Sequence, residues 1–142
     1  MLDGVNIMSS VAVYQQIENH VQAAIASGAL KGGDQLPSVR ELSERLQLNP
    51  NTVAKAYRDL EVMGYLYTRR GMGVFIQRGI EDKCRKEFSE KLITRLHEVL
   101  AEAKSAGISN ADINAITKKC LEAKTGPYEE VPKTLLSMAR KV

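Results

Sequence analysis

A chain of 142 residues with 44% apolar content can bury one ordinary core without covalent staples, which excludes a disordered chain and leaves no room for a large second catalytic domain. The formal net charge of +3 neither requires nor forbids nucleic acid, so the placement of charge has to decide. Residues 1–37 carry Lys31 against Asp3, Glu18 and Asp34, whereas residues 38–78 carry Arg40, Arg45, Lys55, Arg58, Arg69, Arg70 and Arg78 against Glu41, Glu44, Asp59 and Glu61; the basic excess gathers in mid-chain.

In chain order, Tyr14, Ile17, Val21, Ala24 and Ile25 recur at helical spacing and predict a first helix that Ser27-Gly28 closes. A turn-rich loop, Lys31-Gly32-Gly33-Asp34, follows. Ser38 and Glu41 have the spacing of a capping box ahead of Val39, Leu42 and Leu46, so a short second helix starts there. Asn49 suits an N-cap and Pro50 the first helical position, which opens a third helix carrying Val53, Ala56, Tyr57 and Leu60 to a stop near Gly64. Two short helices joined by about four residues, the second opened by the polar run Asn49-Pro50-Asn51-Thr52, match a helix-turn-helix. Residues 65–68 and 74–76 have strand composition, and Arg69-Arg70-Gly71-Met72-Gly73 lies between them as a hairpin tip. A helix-turn-helix followed at once by a basic hairpin is a winged helix.

Beyond Arg78 the pattern changes to a long amphipathic helix over residues 81–105, ended by Gly107, and a further helix begins at Ser109 and Asp112. Phe88, Leu92, Leu96, Val99 and Leu100 on the first, with Ile113 and Ile116 on the second, form an apolar face that two helices cannot bury alone. A partner for that face is either the winged domain or the same element of a second chain. The expected organisation is a DNA-binding domain over residues 1–78, a helical dimerisation segment over 79–124, and a tail over 125–142 with one short helix at most. The fold class is therefore mainly α with a small β-hairpin.

Several chemistries find no support. Cys84 and Cys120 have neither the density of a disulfide scaffold nor metal-ligand spacing, and Cys120 is expected to be a small packing residue on an apolar helix face. His20 and His97 fall on different helices, so neither a metal site nor an acid–base pair can be assembled, and no cofactor or catalytic set is expected. No leader pattern and no membrane-length apolar run stand in the sequence, which predicts a cytoplasmic chain without membrane partners.

The runs Leu36-Pro37-Ser38-Val39-Arg40-Glu41-Leu42, Asn49-Pro50-Asn51-Thr52-Val53, Ala56-Tyr57 and Arg69 to Phe75, with Tyr14-Gln15-Gln16-Ile17 ahead of them, resemble the GntR family of bacterial transcription regulators. The short two-helix segment after the wing resembles the YtrA-type branch. The resemblance implies a sequence-specific regulator, in the leading reading a homodimeric repressor on a palindromic double-stranded DNA operator. Gln47 departs from the glycine common in the turn, and Met72 from the polar residue common in the wing. Pro50 stands where some branches read a guanine with arginine, so that contact does not carry over.

Asn51 and Thr52 lie in the first turn of the third helix, the part that meets base edges in such docking, and Lys55 follows Asn51 on the same side. Asn51 and Thr52 could equally serve the helix start, and the two roles are compatible. Arg40 resembles the arginine that reaches DNA in the family; Ser38, Asn49 and Arg58 complete the helix-borne set. Arg69, Arg70 and Gly71 suit contact by the wing with phosphates or the minor groove. The competing reading is a winged helix that docks on another protein and ignores DNA, which the open basic face opposes. The sequence names no small-molecule effector, and a pocket for one would have to form at a dimer interface.

Overall fold

The computed structural model describes residues 9–122 and Ala139. The element order is α1 (Val13–Ala26), β1 (Gln35–Leu36), α2 (Val39–Leu46), α3 (Pro50–Val62), β2 (Leu66–Arg69), β3 (Gly73–Ile76), α4 (Glu81–Ser105) and α5 (Asn110–Glu122). The short helix anticipated within 125–142 lies outside the described residues.

Local chemistry accounts for most boundaries. The Ser38 hydroxyl accepts from the Glu41 N–H at 3.0 Å and starts α2, and Asn49 Oδ1 accepts from the Asn51 N–H at 2.9 Å and starts α3, each satisfying a donor that the helix leaves orphaned. α3 ends as Gly64, at φ 87°, donates to the Glu61 carbonyl while Tyr65 donates to that of Leu60. This paired closure uses the left-handed residue that glycine adopts most easily, and it throws Tyr65 back into the core. At the end of α2 the same left-handed position falls to Gln47, at φ 54°.

The sheet has three strands, not the two of a bare hairpin. β3 lies between β2 and β1, antiparallel to both, with Tyr67 opposite Phe75 and Gln35 opposite Phe75 on the other side. A two-residue strand is too short to show a period, so β1 has no sequence signal beyond the turn residues before it. It is held by its pairing with β3 and by the Gln35 amide, which donates to the Met72 carbonyl at 2.8 Å, while the Tyr67 and Phe75 rings, stacked at 5.5 Å, join β2 to β3.

One buried cluster runs through the winged domain: Ile17, Val21 and Ile25 of α1, Leu42 and Leu46 of α2, Val53, Ala56, Tyr57 and Leu60 of α3, Leu66 and Ile76 of the sheet. Ile80 and Cys84 belong to it as well. The start of α4 is thus part of the winged domain's core, and a boundary at Arg78 divides the sequence but not the packing. α1 lies between α3 and α4 and contacts both, which buries Gln16, Glu18, His20 and Gln22 along with its apolar face. The apolar period of α1 foretells one covered face; contact with two helices covers the polar flanks too.

Two expectations about α4 and α5 are corrected. Phe88, placed with the dimerisation set, is 7% exposed and borders a cavity of about 320 Å³ with Val11, His20 and Ala23, so its ring is covered within the chain. Cys120 is exposed, not packed, whereas Cys84 is buried, where burial pushes its thiol up to about 11. Leu100 and Ile113 are half-buried and line one groove at the α4–α5 turn. Leu92, Leu96, Val99 and Ile116 remain exposed, as do Ile93 and Leu121. No helix of the described residues is long and apolar enough to cross a membrane.

Candidate nucleic-acid interface

α3 is divided along its length. Val53, Ala56, Tyr57 and Leu60 are buried, while Asn51, Lys55 and Arg58 are exposed and Thr52 half-buried. The angle between α2 and α3 is fixed by the Tyr57 hydroxyl, which crosses from the middle of α3 to donate to the Pro37 carbonyl at 2.7 Å, fully buried. Burial, with the Glu41 carboxylate adding to it, drives this phenol far above its ordinary range, so it stays a neutral donor. Because Ser38 follows Pro37 directly, this bond also sets the start of α2 beside α3. Sequence spacing marks Tyr57 as core; it gives no sign of the bond.

The helix-borne candidates therefore lie on two elements that share the buried core and are joined at the start of α2 by the Tyr57 bond. Arg40 projects from α2 with its side chain 87% exposed, paired to Glu44 at 3.0 Å. An exposed pair of this kind is worth about 0–1 kcal/mol, so a phosphate can displace the carboxylate. Ser38 and Asn49 each commit a side-chain oxygen to a helix start. Arg69, Arg70 and Gly71 are exposed at the tip of the wing, where Met72 donates to the Arg69 carbonyl at 2.9 Å and Gly71 takes φ 77°. Thr68 links the wing to the end of α3 through Glu61 at 3.4 Å.

Lys55 is the candidate whose surroundings the sequence foretells least. Its ammonium donates to Asp59 Oδ2 at 3.2 Å, one turn on, and lies 4.5 Å from the centroid of the Tyr14 ring on α1. Asp59 and Glu18 of α1 in turn act on each other's ionisation. Desolvation and then the Asp59 carboxylate push the Glu18 carboxyl up to about 7, while Glu18 and Lys55 hold Asp59 below its ordinary value. The spacing of Lys55 and Asp59 is visible in the sequence; the part played by Tyr14 and Glu18 needs α1 and α3 to be side by side. No cluster of three or more metal-ligating side chains occurs among the described residues.

Comparison with known proteins fits this geometry. The model of the family described as bacterial regulatory proteins, gntR family, matches residues 13–76, from the first residue of α1 to the last of β3. The chain is 36% identical over 100 residues, 70% of its length and 77% of the relative's, to the HTH-type transcriptional repressor YtrA of Bacillus subtilis (strain 168). It belongs to the GntR family. Among solved structures, a GntR family transcriptional regulator from Listeria monocytogenes superposes with a TM-score of 0.60 at 32% identity, covering 78% of this chain and 96% of that one. The GntR-family factor YtrA from Sulfolobus acidocaldarius gives a TM-score of 0.54 at 29% identity, over 71% and 99% of the two chains. Both likenesses reach past the wing, so the GntR chain shares more with them than its helix-turn-helix. It is a transcription regulator of the DNA-binding winged-helix kind.

Proposed function

We propose that this GntR regulator is a homodimeric repressor that binds a two-fold symmetric operator, with one α3 per half-site in the major groove and the wing tip on the adjoining minor groove or phosphates. The observation that carries the reading is the division of α3, with its apolar face locked in the core and Asn51, Lys55 and Arg58 outside. A helix anchored in this way enters a groove as a rigid body, and ordering costs are small. Asn51 and Thr52 meet base edges; Ser38, Arg40, Asn49 and Arg58 with the tip residues Arg69, Arg70 and Gly71 hold phosphates and set the register.

Dimerisation is assigned to α4 and α5, whose first turns also serve the winged core. Leu92, Leu96, Val99 and Ile116 are 41%, 57%, 60% and 57% exposed among the described residues, an apolar row that a second copy would cover. The relative named as a repressor supports repression as the direction of control. Selection of bound duplexes from a random pool tests the reading, and the expected result is a palindrome whose half-sites lie about one helical turn, or a multiple, apart. Recovery of a single asymmetric half-site would refute the two-fold arrangement. Enrichment of no duplex at low salt would refute DNA binding and favour docking on a protein.

A further inference from the structure

α1 and α4 run antiparallel: Arg85 Nε donates to the Ala26 carbonyl at 3.0 Å near the start of α4, and Lys91 Nζ donates to Asn19 Oδ1 at 3.0 Å further along. Past Cys84 they flank the cavity of about 320 Å³. Phe88, Leu92 and Arg95 line it at helical spacing on α4, as Asn19, His20 and Ala23 do on α1, so one stripe of each helix faces the other. Val11, whose carbonyl accepts from the Gln16 amide at 2.9 Å, stands at the Arg95 end. Over about 10 Å of helix axis the α4 wall changes from an aromatic ring and Leu92 to the half-buried Arg95. There the cavity adjoins a cleft of about 100 Å³ that Lys91 lines together with Arg95. Neither cation forms an ion pair among the described residues. Burial, with the Arg95 charge adding to it, holds the Lys91 ammonium below its ordinary range against the opposing pull of Glu18. His20 in the opposite wall is neutral at pH 7, since burial lowers it to about 4. The space is therefore apolar at one end and positive at the other, and none of the residues assigned to DNA lines it.

We propose that this cavity binds a small organic carboxylate, its apolar body between Ala23, Phe88 and Leu92 and its carboxylate on Arg95 with Lys91 close by, and that the occupant acts as an effector. The guanidinium presents the planar fork of donors that a carboxylate matches. An anion there also offsets two like charges one turn apart on α4. The apolar body leaves water for a wall that can offer few hydrogen bonds in return. An inorganic anion lacks the body, and a neutral molecule lacks the charge. α1 belongs to the winged core, α4 carries the row assigned to dimerisation, and Leu92 belongs to both that row and the cavity. A guest seated between the two helices fixes one against the other, so its binding is linked to operator affinity. That linkage rests on the operator-binding reading above; the site itself does not.

Two measurements on the full chain test this. Phenylacetate, added up to about 10 mM, should shift the NMR signals of the Ala23 and Leu92 methyls and the Phe88 ring, and the shifts should saturate. Its uncharged twin phenylacetamide, and acetate, which has no apolar body, should each bind about tenfold more weakly. In Arg95→Gln, which leaves the buried core untouched, phenylacetate should fall to the level of phenylacetamide. No shift at the cavity, equal binding of acetate, or phenylacetate binding unchanged in Arg95→Gln would overturn the site. Binding of a selected duplex is then measured with and without saturating phenylacetate. The dissociation constant should change roughly threefold or more in the unaltered chain and stay constant in Arg95→Gln. A constant value in both proteins would overturn the effector role. If no duplex binds with or without phenylacetate, the DNA-binding reading falls instead, and the NMR result still decides the site.

Discussion

Tyr57 bears a buried hydrogen bond that ties the start of α2 to α3. Tyr57→Phe keeps the ring and strands the Pro37 carbonyl, and urea unfolding should register a loss of about 1–2 kcal/mol. Gln47 presents the opposite case, because its left-handed φ of 54° strains a side chain that glycine would not have. Gln47→Gly should stabilise the chain by about 0.5–1 kcal/mol, the strain relieved being larger than the added freedom of the unfolded backbone. On the DNA face, Asn51→Ala should relax base preference in competition binding. Lys55→Ala should weaken binding to all duplexes and lower the salt slope by about one unit.

Two buried groups on α1 act on stability in opposite directions. Desolvation lowers His20 from 6.5 to about 4, so the unfolded chain binds the extra proton between those values and His20's contribution grows as pH rises through them. Glu18 is raised from 4.5 to about 7, so here the folded chain binds the extra proton, and its contribution shrinks as pH rises over that span. Where the two windows overlap the slopes offset. Thermal unfolding of Glu18→Gln should therefore show stability rising with pH between about 4.5 and 6.5 more steeply than in the unaltered chain; parallel profiles would contradict the raised Glu18 carboxyl.

Among the elements, the loop before β1 and the exit from the wing are locked by close approach. A Cβ on Gly32 would lie 2.7 Å from the Arg78 Cα and 3.0 Å from the Gln77 carbonyl oxygen, both backbone atoms that cannot step aside. The Gly32 N–H donates to Glu81 Oε1 at 2.8 Å, which holds that carboxyl below its ordinary range and joins the loop to the first turn of α4. Gly32→Ala should cost about 1–3 kcal/mol, the usual range for overpacking. The wing should loosen with it, which hydrogen exchange at β1 and β3 would report.

For the whole molecule, the apolar row of α4 and α5 is the feature that stays exposed among the described residues. Leu96→Glu combined with Val99→Glu places two carboxylates on it without touching the core residues Ile80 and Cys84. Sedimentation of the double variant should show a monomer with helical content unchanged, and operator binding should fall as the second half-site is lost. A double variant that still sediments as a dimer would place the interface elsewhere.

The sequence by itself determined the helices, their ends and the wing, because capping pairs, glycine stops and apolar periods are local and each is written within a few residues. It also determined which side of α3 is polar, since Asn51, Thr52, Lys55 and Arg58 interleave with Val53, Ala56 and Tyr57 at helical spacing. Tertiary structure alone decided that a third strand joins the sheet, that α4 begins inside the winged core with Phe88 covered, and that Cys120 is exposed. It alone brought Glu18 and Tyr14 to Lys55, across 37 and 41 positions of chain. Periodicity records which face of a helix is apolar, but which neighbours cover the polar flanks depends on how α1, α3 and α4 pack, and that packing is where the ionisation of Glu18 is set.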